Sequence, residues 1–147
     1  MHFLKPSKIQ AVAIPLIAKS IKGEYHDLIA QSKNGTGKTG AFAIGSVLRV
    51  DPKIMKPQVL CVCHVRELSQ QIAEVYEKIT KFSDIVVSNY TVSGKAEGAH
   101  IVVTTLGKLK AAMSGGRQKK GAQLDLSELK CFVIEEADVF FTDKKNQ

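Results

Sequence analysis

The segment SKNGTGKT, residues 32–39, constrains the fold more strongly than any other stretch of the chain. A short apolar run at residues 27–31 precedes it, and a segment with helical periodicity at residues 38–50 follows it. A strand, a glycine-rich loop and a helix in that order form the structural context of a phosphate-binding loop. The sequence therefore predicts a phosphate site at the start of that helix.

The residue types within this loop suit the binding of a nucleoside triphosphate. Gly35 and Gly37 allow a tight turn that aims backbone N–H groups inward, and the start of the helix adds partial positive charge. Lys38 supplies an ammonium group for the β- and γ-phosphates, and Thr39 supplies a hydroxyl for Mg²⁺. Ser32 stands where the general pattern has Gly, and its small size suits the turn. The other interpretation is a glycine-rich turn with a chance lysine.

Short β-rich runs alternate with helical segments along the rest of the chain. We predict strands at residues 58–64, 84–90, 100–105 and 131–136, and helices at residues 7–21, 66–82 and 106–113. This alternation is typical of βαβ units, so the predicted fold class is α/β, a parallel sheet flanked by helices on both faces. We expect residues 1–147 to form one domain that binds ligands at the carboxyl ends of its strands.

The composition limits the classes of protein to which the chain can belong. A formal net charge of +7 and a pI near 9.4 favour a polyanionic partner, such as nucleic acid or a nucleotide. No run of about 18 apolar residues occurs and the start lacks a signal peptide, so we expect an intracellular protein without a membrane span. The three cysteines, Cys61, Cys63 and Cys131, lack the spacing of a metal site, and we expect buried free thiols.

A cluster of acids follows the last predicted strand. The apolar run at residues 131–134 ends in Glu135 and Glu136, and Asp138 lies two positions further on. Adjacent carboxylates beside a buried strand repel each other and lose hydration, so they need a positive partner. We predict that this partner is the Mg²⁺ of the nucleotide, with Glu135 serving the metal and Glu136 orienting the attacking water. A solvated acidic turn is the alternative.

With both features in place, the sequence resembles the first RecA-like domain of DEAD-box RNA helicases over essentially its whole length. Residues 3–10, FLKPSKIQ, resemble the Q motif of that family, and residues 30–39, AQSKNGTGKT, resemble motif I. Residues 65–68, VREL, resemble the end of motif Ia, and residues 135–138, EEAD, stand where the family has DEAD. The Q motif and the loop are most similar to those of the mRNA-export branch, whose members act at the nuclear pore.

The resemblance implies roles for individual residues. Gln10 would hydrogen-bond the adenine edge, Phe3 would stack on the ring, and Ser7 would link the Q motif to the phosphate loop. Nucleotide contacts carry over to Phe3, Lys5, Ser7, Gln10, Ser32, Asn34, Gly35, Thr36, Gly37, Lys38, Thr39 and Asp138. The catalytic residues would be Lys38, Glu135 and Glu136, and the metal ligands Thr39 and Glu135. The RNA backbone would run along Arg66, Gly94, Thr105 and Gly107.

The chain departs from the family at several of these motifs. Glu135 replaces an Asp that acts through a metal-bound water, and its extra methylene moves the carboxylate out by about 1.5 Å. We expect altered metal geometry and reduced activity from this change. His64 and Val65 replace the usual Pro-Thr, Leu106 replaces a Pro, and Lys108 replaces an Arg. Lys cannot grip a phosphate in the bidentate way that Arg does, so the RNA contacts are expected to be altered.

Together these motifs predict the ATP-binding half of an ATP-dependent RNA helicase, which couples ATP hydrolysis to RNA strand separation or ribonucleoprotein remodelling in mRNA export. We expect ATP or ADP and Mg²⁺ as cofactors, and RNA, a second RecA-like domain of the same protein and nuclear-pore or regulatory proteins as partners. The chain is expected to be a cytoplasmic or nuclear monomer that is nearly inactive without the arginine finger of the second domain. The alternatives are a nucleotide-dependent RNA-binding protein that has lost turnover and an unrelated phosphate-loop kinase.

Overall fold

The computed structural model describes residues 5–20, 24–114 and 124–142 of the 147-residue chain. Two predictions from the sequence lie outside these ranges. They are the stacking role of Phe3 and all but the first residue of the basic, glycine-rich segment at residues 114–123, which we expect to be a solvated loop or an RNA contact. The chain divides into two compact units, Met1–Arg49 and Val50–Gln147. Within the described ranges, no helix is long and apolar enough to cross a membrane.

The first unit is built from two helices that pack against each other, α1 (Lys8–Ala18) and α2 (Lys38–Val47). Ser7 begins α1 with a capping box: its hydroxyl accepts from the backbone N–H of Gln10, and the Gln10 side chain accepts from the backbone N–H of Ser7. Gly45 of α2 lies against Ile17 of α1, where an added Cβ would come within 2.7 Å of the Ile17 Cβ. The lack of a side chain at Gly45 therefore allows the two helices to approach this closely.

The prediction of a strand at residues 27–31 is wrong. The structure has no strand over residues 25–37, and residues 24–31 are all exposed, including Ile29 at 98%. A strand exists only where its backbone pairs with a neighbour, and a short apolar run carries no information about that partner. The helix predicted after the phosphate loop is confirmed as α2.

The second unit is a parallel sheet of four strands in the order β2-β3-β1-β4. The strands are β1 (Val59–Cys63), β2 (Val87–Asn89), β3 (Ile101–Thr105) and β4 (Cys131–Ile134). They are followed in turn by α3 (Arg66–Thr80), α4 (Tyr90–Ser93), α5 (Leu106–Ser114) and α6 (Ala137–Thr142). The sequence predicted these strands together with α3 and α5. It missed α4 and α6 because helices of four and six residues are too short to show a period.

Helices cover both faces of this sheet, which confirms the predicted α/β class. On one face, α5 closes a cluster made of Leu60, Val62, Tyr90, Ala96, Ala99, Val102 and Leu109. Helix α3 contacts β1, β2 and β3 and buries Ile72, Ala73 and Tyr76, none of which belongs to that cluster, so α3 covers the opposite face. All five residues of β1 are buried, as expected for a central strand between two layers.

A buried amide fixes the loop that leads into β1. The Gln58 side chain is completely buried, and its Nε2 donates to the carbonyls of Asp51 at 2.7 Å and Ile54 at 3.0 Å. Its Oε1 accepts from the backbone N–H of Asp51 at 2.9 Å. Since a buried amide without partners is costly, these three bonds satisfy Gln58 and hold the loop in place.

Candidate functional site

The phosphate loop turns tightly just before α2. Gly35 and Gly37 have φ angles of 76° and 95°, in the left-handed region that glycine adopts at little cost. Gly37 is the N-cap of α2, and none of the described side chains caps that helix end. Its first backbone N–H groups are therefore available to an anion, as in a phosphate site at a helix N-terminus.

The Lys38 ammonium group is folded onto the carbonyls of its own loop. Its Nζ donates to the carbonyl oxygen of Ser32 at 2.8 Å and to that of Lys33 at 3.3 Å, and it lies 3.5 Å from Oδ1 of Asn34. The Ser32 hydroxyl in turn lies 2.7 Å from the Thr36 hydroxyl. Since phosphate oxygens are stronger acceptors than carbonyls, a bound phosphate would draw Lys38 away from these contacts.

The Gln10 side chain joins the Q-motif helix to the phosphate loop. Its Oε1 accepts from the backbone N–H of Ser7 at 3.0 Å, and its Nε2 donates to the carbonyl of Gly37 at 3.2 Å. The residue is buried, whereas Lys5 in the same motif is exposed. Both ends of the amide are thus engaged within the protein, and the adenine contact that the resemblance implies for Gln10 stays a prediction.

The acidic motif lies at the carboxyl end of β4. The backbone N–H of Glu135 donates to the Val62 carbonyl at 3.0 Å, which extends the β1–β4 ladder by one residue. Glu136 follows with a φ of 53°, and its Oε2 lies 3.1 Å from Nδ1 of His64. Asp138 lies exposed in the first turn of α6. The sequence identified these acids, but His64 was noted only as a departure from the family, because the register of two strands is not visible in either one.

The predicted metal ligands fit the chemistry of Mg²⁺. Thr39 is the second residue of α2 and offers a hydroxyl oxygen, and Glu135 offers a carboxylate. Mg²⁺ prefers such hard oxygen donors, and it is usually bound by one or two carboxylates together with substrate phosphates. Over the described ranges, no three His, Cys, Asp or Glu side chains gather as a metal site of their own. A metal that arrives with a nucleotide is the kind that this donor set suits.

The four residues implied to contact RNA all lie near the carboxyl edge of the sheet in the second unit. Arg66 begins α3 just after β1, and Gly94, with a φ of 63°, ends α4 just after β2. Thr105 is the last residue of β3, and Gly107 lies in the first turn of α5. The parallel strands therefore bring together residues that lie up to 41 positions apart in sequence.

Arg66, Gly94 and Gly107 are exposed, and Thr105 is half-buried. The backbone N–H of Thr105 donates to the Thr91 hydroxyl at 2.9 Å, a contact that ties the end of β3 to α4. Sequence analysis did not single out Thr91, because a threonine in a helix too short to show a period carries no local signal.

The cysteines of β1 are structural. Burial, followed by the nearby charge of Glu135, raises the pKa of the Cys63 thiol to about 11. Burial likewise raises the pKa of Cys61 well above its usual range. Since the thiolate is the reactive form, neither side chain is suited to nucleophilic chemistry near neutral pH. The prediction of buried free thiols is confirmed for Cys61 and Cys63, whereas Cys131 is only half-buried.

Comparison with protein families finds that residues 7–147 match the DEAD/DEAH box helicase model. The chain is 40% identical to DEAD-box ATP-dependent RNA helicase 38 of Arabidopsis thaliana over 94% of its length, which is 28% of that relative. It is also 40% identical to ATP-dependent RNA helicase DBP5 of Yarrowia lipolytica over 94% of its length, which is 27% of that relative. The chain thus spans a little over a quarter of these relatives.

Solved structures show the same similarity. Saccharomyces cerevisiae Dbp5 bound to RNA and ADP BeF3 superposes with a TM-score of 0.80 at 36% identity, over 97% of this chain and 35% of that one. A Dbp5 variant bound to Nup159, a Gle1 variant, IP6 and ADP gives a TM-score of 0.79 at 36% identity, over 97% of this chain and 36% of that one. These structures have the RecA-like fold that the resemblance implied, and the comparisons favour neither of the two alternative functions.

Proposed function

Because the chain belongs to the DEAD/DEAH box helicase family, we propose that it is the ATP-binding part of an ATP-dependent RNA helicase. The observation that carries this proposal is the phosphate loop, in which Lys38 begins α2 directly after Gly37, and both Gly35 and Gly37 have positive φ. Helix N-terminus, ammonium group and glycine backbone together form a site that suits a triphosphate. The Gln10 amide adds a bond from the Q motif to the same loop.

The acidic motif would serve the metal and the reaction. Glu135 and the Thr39 hydroxyl would hold Mg²⁺, which neutralises the charge that develops on the phosphates. Glu136 would orient the water that attacks the terminal phosphate. Asp138, Asn34 and Thr36 would complete the nucleotide contacts that the resemblance implies. Glu135 keeps the charge of the Asp that the family has, but its longer side chain alters the metal geometry.

The RNA would run along the carboxyl edge of the sheet in the second unit. Gly94, Thr105 and Gly107 lie after β2 and β3, and Arg66 lies after β1. Exposed glycines and a guanidinium suit contacts to the sugar-phosphate backbone, so little sequence preference is expected. The net charge of +7 favours such a partner.

The similarity to Dbp5 supports a proposal for the partners and the location. Structures of that protein contain RNA in one case and Nup159 with Gle1 in another. We therefore propose nuclear-pore or regulatory proteins as partners, a role in mRNA export, and a location in the cytoplasm or nucleus. Residues 1–147 would act as one RecA-like domain of a monomer, and a second RecA-like domain would supply the arginine finger.

A nucleotide titration tests the site. Lys38→Ala should weaken ATP binding by at least about 1.5 kcal/mol, the low end for a hydrogen bond to a charged group, or roughly tenfold. Lys33→Ala is the matched control, because this neighbouring lysine contacts Lys38 through its backbone carbonyl, which the substitution keeps. Gln10→Ala should reduce the preference for ATP over GTP. Equal affinities for ATP in the Lys38→Ala and Lys33→Ala variants would contradict the proposed site.

A further inference from the structure

The register of two neighbouring strands brings His64 opposite Glu136. Val62 of β1 pairs with Ile134 of β4, and the Glu135 N–H continues the ladder onto the Val62 carbonyl. Two residues beyond the paired positions on each strand, the chain reaches His64 and Glu136. Their juxtaposition is thus built by the parallel sheet and lies entirely within the second unit.

The contact between them engages one carboxylate oxygen. Nδ1 of His64 lies 3.1 Å from Oε2 of Glu136, with the two side chains 28% and 43% exposed. The Nδ1 atom itself is buried and has no aligned hydrogen bond within the described residues, so the ion-pair contact is the polar interaction seen for it. With a proton on Nδ1, the imidazole places an N–H dipole 3.1 Å from this oxygen, an electrostatic contact rather than an aligned hydrogen bond, and leaves Oε1 to accept from another group.

The backbone at Glu136 is held in an uncommon conformation. Its φ of 53° is the one positive φ among the described residues other than glycine. A residue with a Cβ is strained in this region, and such positions concentrate at functional sites where the surroundings hold them. The uncommon backbone and the His64 contact thus coincide at the one residue that is proposed to orient water.

We propose that His64 is a positioning residue for Glu136, and that it restricts this carboxylate to the orientation in which Oε1 receives the attacking water. The proposal rests on the proposed function, since it requires that Glu136 orient water for ATP hydrolysis. A proline, which the family has at this position, has no side-chain N–H and cannot make the contact. The dependence on His64 is therefore a property of this chain, which also carries Glu135 in place of Asp.

Steady-state ATP hydrolysis with RNA, measured on the protein at its natural length, tests the role of His64. His64→Leu keeps an apolar body of similar size but removes the N–H, and it should lower kcat about tenfold because the carboxylate is no longer oriented. The KM for ATP should change less than twofold, since His64 is not proposed to touch the nucleotide. His64→Asn, which carries an N–H at about the distance of Nδ1 from the backbone, should restore most of the activity. Urea denaturation of each variant shows whether it is folded.

A spectroscopic measurement tests the contact without any turnover. The imidazole ¹⁵N chemical shifts of His64, recorded at about pH 8.5 where free imidazole is neutral, should show the proton on Nδ1. Glu136→Ala should move the proton toward Nε2, whereas Glu67→Ala, which removes an exposed carboxylate in α3, should not. A tautomer that is unchanged by Glu136→Ala would overturn the contact.

The outcomes separate the two proposals. An active protein whose His64→Leu variant keeps or gains kcat would overturn the positioning role and leave the proposed function standing. A folded protein that binds ATP but hydrolyses none, with or without RNA, would overturn the proposed turnover and with it the role of His64. A His64→Asn variant as slow as His64→Leu would show that the loss comes from packing and would also overturn the positioning role.

Discussion

Adding one methyl group to Gly37 should damage the phosphate loop far more than adding one to Gly35. Both glycines have positive φ, so alanine is strained at either position by about 1–2 kcal/mol. A Cβ at Gly35 meets nothing within 4 Å, whereas a Cβ at Gly37 would lie 2.6 Å from Nε2 of Gln10. Gly35→Ala is therefore a control for backbone strain alone.

The additional cost at Gly37 comes from the displaced amide. Gln10 must move, and it then loses its bond to the Gly37 carbonyl and its bond from the Ser7 N–H. At about 1 kcal/mol each, these two bonds raise the expected cost of Gly37→Ala to about 3–4 kcal/mol. In a Gln10→Ala background the clash with Gln10 disappears, and the remaining close neighbour of the Cβ is the rotatable Ser7 hydroxyl at 3.2 Å. The cost of Gly37→Ala should then fall back to about 1–2 kcal/mol.

Urea denaturation followed by circular dichroism measures these differences in the free energy of unfolding. The comparison needs five proteins: the unsubstituted protein, Gly37→Ala, Gln10→Ala, the variant that carries both substitutions, and Gly35→Ala. ATP affinity, measured with a fluorescent ATP analogue, should fall in the same order, because the loop cradles the phosphates. Equal unfolding free energies for Gly35→Ala and Gly37→Ala, or additive effects of Gly37→Ala and Gln10→Ala, would refute the inferred contact between Gln10 and the loop.

Two further predictions concern the second unit. Gln58→Ala should lower the free energy of unfolding by about 3 kcal/mol, since three buried hydrogen bonds are lost at about 1 kcal/mol each. The control Gln70→Ala, at an exposed position, should change it by less than about 0.5 kcal/mol. Equal effects of the two substitutions in urea denaturation would contradict the role of Gln58. Cys63, whose pKa is raised to about 11, should be alkylated by iodoacetamide far more slowly in the native than in the urea-unfolded protein at about pH 8, and its rate should rise as the pH approaches 11 because only the thiolate reacts. Peptide mass spectrometry measures the extent of labelling at Cys63. Equal rates of labelling in the native and the unfolded protein would show that Cys63 is not protected.

The sequence alone determined the features that depend on local chemistry. The helix predicted from residue 7 begins where α1 does, and the two glycines before Lys38 predicted the turn into α2. Helical period and β-rich runs were sufficient for α3, α5 and the four strands. Each of these signals is contained in fewer than about 20 consecutive residues, so it can be read without knowing the rest of the fold.

Contacts between distant segments were decided by the tertiary structure. Residues 27–31 have the composition of a strand but no backbone ladder, because pairing requires a partner that an apolar run does not specify. Gln10 reaches Gly37, 27 positions away, only because α1 packs on α2. His64 meets Glu136 because β1 and β4 pair in one register, and a slip of one residue would turn those side chains to opposite faces. The chemistry of the single residues could therefore be predicted from the sequence, whereas the identity of their partners depended on packing and strand register.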